Sequence, residues 1–164
     1  MEPVESTSRT QRAILWIVVI GVLALVGLMV TKVVLWEIRP RTTVSISGSV
    51  FRVDIVDTEE ARQKGLGGRN SLGKDEGMLF VFNTERFWSF WMKGMKFPID
   101  IIWLDKDNQV VHIEHDVQPD SEPYTEYTPP EPAQYVLEIA AGQAKRANIR
   151  VGSVMKVDVA KEGL

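Results

Sequence analysis

The feature that most constrains this chain is an uninterrupted run of eighteen residues, 13–30, without a single polar side chain. As a helix with about 1.5 Å of rise per residue, the run would extend roughly 27 Å, close to the roughly 30 Å of a bilayer's hydrocarbon core. Trp16 and Trp36 lie near its two ends, where indole rings favour the membrane interface. The sequence therefore predicts a membrane-spanning helix over residues 13–36, after an N-terminal tail of residues 1–12.

Two other interpretations of the run are a buried helix of a soluble domain and a cleaved signal peptide. A buried helix is disfavoured because so long an apolar stretch is hard to place inside so small a domain. A signal peptide is disfavoured because its apolar region spans roughly 7–15 residues and ends at a small-x-small cleavage site. Here the run continues into TKVVLW, residues 31–36. We expect an uncleaved signal anchor.

The orientation of the anchor is not decided by its flanking charges. Arg9 and Arg12 precede the run, and Lys32, Arg39 and Arg41 follow it. Long domains cross membranes largely regardless of charge, and the short N-terminal tail is typical of a signal anchor. We therefore expect a single-pass membrane protein whose C-terminal domain lies outside the cytoplasm.

Charge and composition limit what the C-terminal part can do. After a polar tether of residues 37–42, residues 43–164 carry 14 Lys and Arg against 19 Asp and Glu. Such an acidic domain offers no basic surface for a phosphate backbone, so we expect no nucleic acid partner. The absence of cysteine from the sequence excludes disulfides, thiolate metal sites and cysteine nucleophiles.

Short strands dominate the pattern of residues 43–164. Apolar residues alternate with polar ones over 44–55, where Gly48-Ser49 predicts a hairpin turn. Further strands are predicted at 78–82, 99–104, 109–115, 135–140 and 153–160. Short helices are predicted between Thr58 and Gly65 and within 141–147. Seven or eight strands with one or two short helices predict a mainly β domain, either a small β-sandwich or a barrel. We interpret the proline-rich stretch 117–133 as an ordered loop of one domain, although a linker between two domains is the alternative.

Three sequence blocks resemble the bacterial and archaeal family called domain of unknown function 192. They are RQKGLGGR (62–69) continuing through GMLFVF (77–82), FWMKGMKFPIDIIWLD (90–105), and YVLE (135–138) followed by Gly142, Ile149 and Gly152. The resemblance covers residues 43–160 and implies a compact, mostly β fold that is often secreted or membrane-anchored. It implies no activity. The chain departs from the family pattern at Gly67, where Met is common, and at Gly94-Met95, where Asn-Thr is common.

Two carboxylates stand inside predicted apolar strands. Asp100 lies between Ile99 and Ile101, where an unpaired charge would be costly. It therefore needs a cation or hydrogen-bond donors, and the candidate cations are Lys93, Lys96 and Arg69. One hypothesis is a carboxylate with a shifted pKa in a pocket. The other, which we favour, is a structural carboxylate that binds the backbone amides of a loop. Glu138, within YVLEIA, raises the same two possibilities.

The aromatic stretch FWSFWM, residues 87–92, also has two interpretations. Exposed flat rings can stack on sugars, whereas buried rings supply core. Alternation places Trp88, Phe90 and Met92 on one side and Phe87, Ser89 and Trp91 on the other. We favour core for most of these rings, with the opposite side as a contact patch. The candidate ligand-binding residues are Arg69, Trp91, Lys93, Asp100 and Glu138.

Other chemistries lack a template in the sequence. His112 and Glu114 would share one face of a strand while His115 points away, and there is no third histidine, so we expect no metal site. The glycine-rich loop 65–77 matches no nucleotide-binding pattern, and no hydrolase motif occurs. We expect no cofactor and no nucleotide.

These features favour a membrane-anchored binding or accessory module for an envelope polysaccharide or an envelope protein. The alternative is an enzyme of unrecognised type that uses Asp100 and Glu138 in one pocket, together with Arg69 or Lys93. A third possibility is a structural spacer without any pocket. The two carboxylates distinguish these hypotheses, because a shared pocket requires that they lie on the same face of the sheet.

Overall fold

The computed structural model describes residues 9–37 and 42–158, with helix side chains described over residues 14–29. Three parts of the predicted segments lie outside the described residues. They are residues 1–8 of the tail, residues 38–41 of the tether and residues 159–160 of the last predicted strand. The chain divides into two compact units between Pro40 and Arg41.

The first unit contains one helix, α1 (Arg9–Glu37), which includes the predicted segment 13–36. Every large apolar side chain described in α1 is exposed, from 39% at Val19 to 71% at Met29. Among the residues that the structure describes, no helix is both long enough and apolar enough to cross a membrane.

The second unit is mainly β, as predicted. Its strands are β1 (Thr42–Ile46), β2 (Ser49–Val56), β3 (Glu76–Arg86), β4 (Ile99–Leu104), β5 (Val110–Val117), β6 (Ala133–Ala140) and β7 (Met155–Asp158). They form one sheet in the order β5-β4-β6-β3-β2-β1-β7. Only the pairing of β2 with β3 is parallel within this described sheet, and the connection between these two strands carries the helix α2 (Glu59–Lys64). A second short helix, α3 (Gln143–Arg146), follows β6.

Local sequence signals account for the turns and for α2. The β1–β2 hairpin turns at Ser47 and Gly48, which both have positive φ, at 49° and 82°. Two positive φ values in a two-residue turn match the right-handed twist of the strands. The observed turn therefore lies one residue earlier than the predicted turn at Gly48-Ser49. The predicted helix after Thr58 is confirmed, because the Thr58 hydroxyl accepts a hydrogen bond from Ala61 N and Gly65 ends the helix.

Hydrogen bonds between the two edges of the sheet curl it into a partly closed barrel. Val110 N donates to Ser153 O at 2.8 Å, and Gly152 N donates to Val110 O at 2.8 Å. Met155 N also donates to Asn108 O at 2.9 Å. These bonds tie the start of β5 to the segment that leads into β7. Of the two predicted architectures, the structure is therefore the barrel rather than two stacked sheets.

The curled sheet has a hydrophobic core on each face. The inner core includes Val44, Phe51, Leu79, Ile102, Leu137 and Ile139, and the outer core includes Met78, Phe80, Phe82, Met92, Ile101 and Trp103. Strands β3, β6 and β4 lie at the centre and contribute to both cores. All six residues of β4 are buried, which explains why its sequence lacks polar alternation.

Two segments cover the outer core. One is the aromatic stretch 87–92, of which Phe90 and Met92 pack against the outer core. The other is the proline-rich stretch, where Tyr127 and Phe90 exchange backbone hydrogen bonds of 2.8 and 2.9 Å. The outer face of the sheet is therefore covered by these irregular segments together with α2 and the turn after it, which contribute Ala61 and Leu66, and the candidate site lies within that cover.

Candidate functional site

Asp100 is fully buried on β4, and its carboxylate binds two backbone amides. Oδ1 accepts from Asp116 N at 2.9 Å, and Oδ2 accepts from Ala144 N at 2.8 Å. Ala144 lies in the first turn of α3, whose N-cap is Gly142 and has no side chain to offer. Asp116 has a φ of 53° beside the irregular pairing of β5 with β4. Asp100 thus ties the start of α3 and the end of β5 to β4 through backbone amides, which is the role that the structural hypothesis gave it.

The cations expected near Asp100 lie elsewhere. Arg69 Nη2 binds Asp54 Oδ2 at 2.8 Å, and Lys96 Nζ binds Asn70 Oδ1 at 3.0 Å. The imidazole of His115 is the nearest ionisable side chain, with its Nδ1 3.9 Å from Asp100 Oδ1. Backbone amides, rather than a lysine or arginine, therefore stabilise this carboxylate.

Glu138 lies on the opposite face of the same sheet. In the pairing of β4 with β6, Glu138 stands opposite Ile101 and Asp100 opposite Ile139. Paired residues point to the same face and consecutive residues to alternate faces. Glu138 therefore points to the outer core and Asp100 to the inner core. The two carboxylates therefore do not share one pocket, which the alternative hypothesis of an enzyme required.

The carboxyl group of Glu138 is buried with one oxygen unsatisfied. The residue is 5% exposed, and its Oε2 has no hydrogen-bond partner. Burial raises the pKa of Glu138 to about 8, although the positive charge of Arg69 acts in the opposite direction. At neutral pH the protonated form therefore predominates. Of the two strand carboxylates, Glu138 is the one with an unsatisfied oxygen.

Glu138 lines a cleft of about 520 Å³ in the cover of the outer face. Its lining comes from α2, the turn after it, β3 and the aromatic stretch, and it includes Arg62, Lys64, Phe80, Phe82, Trp88, Phe90, Trp91 and Lys93. A volume of this size is within the usual range of roughly 300–1,000 Å³ for small-molecule sites. The cleft thus combines apolar walls with a few polar groups.

The aromatic walls of the cleft are held by ring contacts. Phe82 stacks on Trp88 with centroids 3.9 Å apart, and Phe80 meets Phe90 edge-on at 4.9 Å. Trp103 anchors this stretch, because its Nε1 donates to Trp88 O at 2.9 Å. Trp91 is different, since it lines the cleft but is 47% exposed. Its ring is therefore available to a ligand.

Arg62 is a cleft residue that the sequence analysis did not propose. Its Nη2 donates to Asp57 O at 2.6 Å and to Val81 O at 2.7 Å, and its Cζ lies 4.8 Å from the centre of the Phe82 ring. Its Nε is buried without a hydrogen-bond partner. The available signal was the position of Arg62 at the head of the first family block.

The two loops at the mouth of the cleft meet through glycines. Gly68 N donates to Gly94 O at 3.0 Å. A Cβ atom at Gly67 would lie 2.9 Å from Lys64 O and 3.2 Å from Lys93 O, so the loops could not approach this closely with a side chain there. Both departures from the family pattern, at Gly67 and at Gly94-Met95, therefore fall at one backbone contact beside Lys93.

The five predicted ligand-binding residues do not form one group. Trp91, Lys93 and Glu138 line the cleft. Arg69 lines a neighbouring cavity of about 470 Å³, which shares Lys64, Gly65 and Gly67 with the cleft. Asp100 lies on the other face of the sheet. His112 Nε2 lies 2.9 Å from Glu114 Oε1, and among residues 42–158 no cluster suited to a metal ion is found.

We expect Asp100→Ala to destabilise the protein by about 2–4 kcal/mol, because two backbone amides, one of them fully buried, would lose their carboxylate acceptor. Asp107→Ala is the control, since the Asp107 side chain is 75% exposed and its ion pair with Lys106 is worth less than about 1 kcal/mol. Chemical denaturation of both variants measures the difference. Equal costs for the two substitutions would contradict the structural role of Asp100.

We expect Glu138→Gln to remove a pH dependence of stability. Because the pKa of Glu138 is raised from 4.5 to about 8, the folded protein holds a proton that the unfolded chain releases between those values. Stability should fall as pH rises through this window, by up to about 1.4 kcal/mol per pH unit, and level off above it. Thermal unfolding from pH 4 to 9 should show a shallower decline for the variant. Parallel curves for both proteins would refute an uncompensated Glu138.

Comparison with known proteins gives a family but no activity. Residues 42–157 match the family DUF192, described as uncharacterized ACR. A protein of unknown function from Novosphingobium aromaticivorans DSM 12444 is similar, with a TM-score of 0.65, 36% identity, and coverage of 71% of this chain and 83% of that one. A protein from Sinorhizobium meliloti 1021 described as a putative transcription regulator has a TM-score of 0.65, 30% identity, and coverage of 71% and 93%. No curated protein matches the chain significantly. The match over 42–157 shows that this chain belongs to the DUF192 family.

Proposed function

We propose that this protein is a single-pass membrane-anchored binding module whose β domain, outside the cytoplasm, binds an envelope polysaccharide in the cleft beside Glu138. The observation that carries the proposal is the unsatisfied Oε2 of Glu138 in a cleft walled by aromatic rings. Native proteins satisfy nearly all buried polar atoms, so an exception in a cleft indicates a partner that completes it.

The nature of the walls supports a saccharide. Sugars present flat apolar ring faces together with hydroxyl groups, and they therefore need an aromatic surface and hydrogen-bonding groups in one place. Trp91 supplies an exposed ring, and Glu138 supplies an unused carboxyl group. An apolar pocket with a few convergent polar groups is the usual form of such sites.

Binding is favoured over catalysis by the arrangement of the acids. Glycoside hydrolysis generally uses two carboxyl groups on either side of one bond. Asp100 cannot be the second group, because it points to the opposite face of the sheet. Glu59 lines the same cleft, but its carboxylate lies 3.7 Å from Arg62 and is 76% exposed, as is usual for a surface ion pair.

The membrane anchor rests on the apolar run 13–30 of the sequence. Apolar surface in water costs about 25 cal/mol per Å², so a helix that is apolar on all sides requires an apolar environment. Long domains cross membranes largely regardless of flanking charge, so the two cations before the run and the three after it are compatible with a C-terminal domain outside the cytoplasm. The described role of the Sinorhizobium protein is not extended to this chain, because residues 43–164 carry an excess of acidic side chains.

Binding can be tested with the full-length protein in mild detergent on an array of envelope glycans. We expect Trp91→Ala to weaken binding by about tenfold, through loss of the stacking ring. Phe87→Ala is the matched control, because Phe87 is 58% exposed in the same aromatic stretch but does not line the cleft. Failure to bind any glycan, or equal losses in both variants, would rule out this function. Binding to an envelope protein instead would replace the polysaccharide as the partner.

Anchoring can be tested by fractionation and by protease digestion of intact spheroplasts. We expect the protein to stay with membranes after alkaline carbonate extraction and its β domain to be digested from outside. Leu23→Arg should release a large part of the protein, because a charge at the centre of a membrane helix costs about 2.5–3.5 kcal/mol. Val50→Arg is the control, since Val50 is 57% exposed on β2. Wild-type protein found free of membranes would contradict the anchor.

A further inference from the structure

We propose that the saccharide taken by this cleft is acidic, and that Glu138 binds its acid group as a protonated hydrogen-bond donor. The inference rests on the proposed function and specifies the class of ligand. It is carried by two unsatisfied polar atoms, by the charges that line the cleft, and by the surroundings of Glu138.

Hydrogen-bond acceptors on a ligand can satisfy both groups that carry an unpartnered atom. Arg62 Nε and Glu138 Oε2 are both buried without partners, and both residues line the cleft. A guanidinium group only donates hydrogen bonds, so only an acceptor can satisfy Arg62 Nε. A protonated carboxyl group also has one donor to place. A ligand rich in acceptor oxygens therefore fits both positions, and a carboxylate is a stronger acceptor than a hydroxyl group.

The other charges of the cleft favour an anion. Arg62, Lys64 and Lys93 line it as cations, against Glu59 and Glu138 as acids. Glu59 is already engaged, since its carboxylate lies 3.7 Å from Arg62 and accepts from Gln63 at 3.2 Å. With Glu138 protonated, the lining carries a net positive charge. An amine-bearing sugar would be repelled by Lys64 and Lys93, whereas an acidic sugar would be attracted.

The surroundings of Glu138 keep its proton in place at neutral pH. Its strand neighbours on the same face are Met78 on β3 and Ile101 on β4, which are apolar. The charged groups that face it or share its cleft are Arg69 and the cleft residues Glu59, Arg62, Lys64 and Lys93. The positive charge of Arg69 also acts on Asp54, because its Nη2 lies 2.8 Å from Asp54 Oδ2.

Because burial outweighs the positive charge of Arg69, the pKa of Glu138 is raised to about 8. Above that pH the carboxylate would lose its donor and would repel an anionic ligand. An acidic ligand should therefore be released as pH rises.

Matched pairs of sugars test the inference directly. The probes are trimers of galacturonic, glucuronic and mannuronic acid, each compared with its own methyl ester, which keeps the skeleton and removes the charge. For full-length protein in detergent at pH 6.5, we expect at least one acid to bind about tenfold more tightly than its ester. The same acid should bind about tenfold more weakly at pH 9 than at pH 6.5.

Substitutions separate the parts of the site. Glu138→Ala should lower the affinity for the acid by about tenfold or more, and Glu138→Gln should restore most of it, because an amide also donates. The pH dependence should be lost in Glu138→Gln. Lys93→Gln should weaken binding of the acid but not of the ester. Val50→Arg, outside the cleft, controls for handling, and thermal unfolding shows whether each variant is folded.

The outcomes distinguish this inference from the function on which it rests. If acids and esters bind equally, or if esters or amino sugars bind better, the acidic ligand is excluded while saccharide binding stands. If Glu138→Gln behaves as Glu138→Ala and pH has no effect, the protonated donor is excluded. If no sugar of either kind binds, the proposed function fails and the inference fails with it. Should Glu138→Ala not fold, the Lys93→Gln comparison still decides between acid and neutral sugar.

Discussion

The structure depends on burying the central strands β3, β6 and β4 on both faces at once. A sheet with a core on each side has no polar face on which an acidic side chain could reach water, so each carboxylate in these strands must be stabilised individually. Asp100 meets this requirement, because two backbone amides bind it at 2.8 and 2.9 Å. Glu138 does not meet it, because its Oε2 has no partner. The contrast assigns a structural role to the first residue and identifies the second as a candidate for ligand binding.

Much of the fold was predictable because its signals are local. Thr58 and Gly65 bound α2, and alternation or apolar runs located the strands. The choice of a barrel over a sandwich was not predictable, since it depends on hydrogen bonds between Val110 and residues more than forty positions away. The hairpin turn was misplaced by one residue because Gly48 was paired with Ser49, whereas positive φ values fall on Ser47 and Gly48. The residue types in a turn indicate that a turn is present, but the backbone angles decide which two residues lie at its centre.

The site was predictable in part. Single acids within apolar strands singled out Asp100 and Glu138 in the sequence, but strand register was needed to place them on opposite faces. Alternation along one strand tells which of its own side chains share a face. It cannot tell whether residues on two different strands share a face until the pairing of the strands is known. Arg62 was missed because nothing local distinguishes it from other basic residues at the end of a short helix. Its importance comes from contacts with Asp57, Val81 and Phe82, which meet only in the folded domain.

The chain's own departures from its family also make sense only in three dimensions. Gly67 and Gly94 are 27 positions apart, yet they belong to two loops that meet at the mouth of the cleft, where Gly68 N donates to Gly94 O. A side chain at Gly67 would crowd the backbone carbonyls of Lys64 and Lys93, which both line the cleft. The glycine therefore sets how closely the backbones of the two loops approach each other. A larger residue at position 67 would require a wider separation of the loops, which explains why the two departures from the family pattern occur together in this chain.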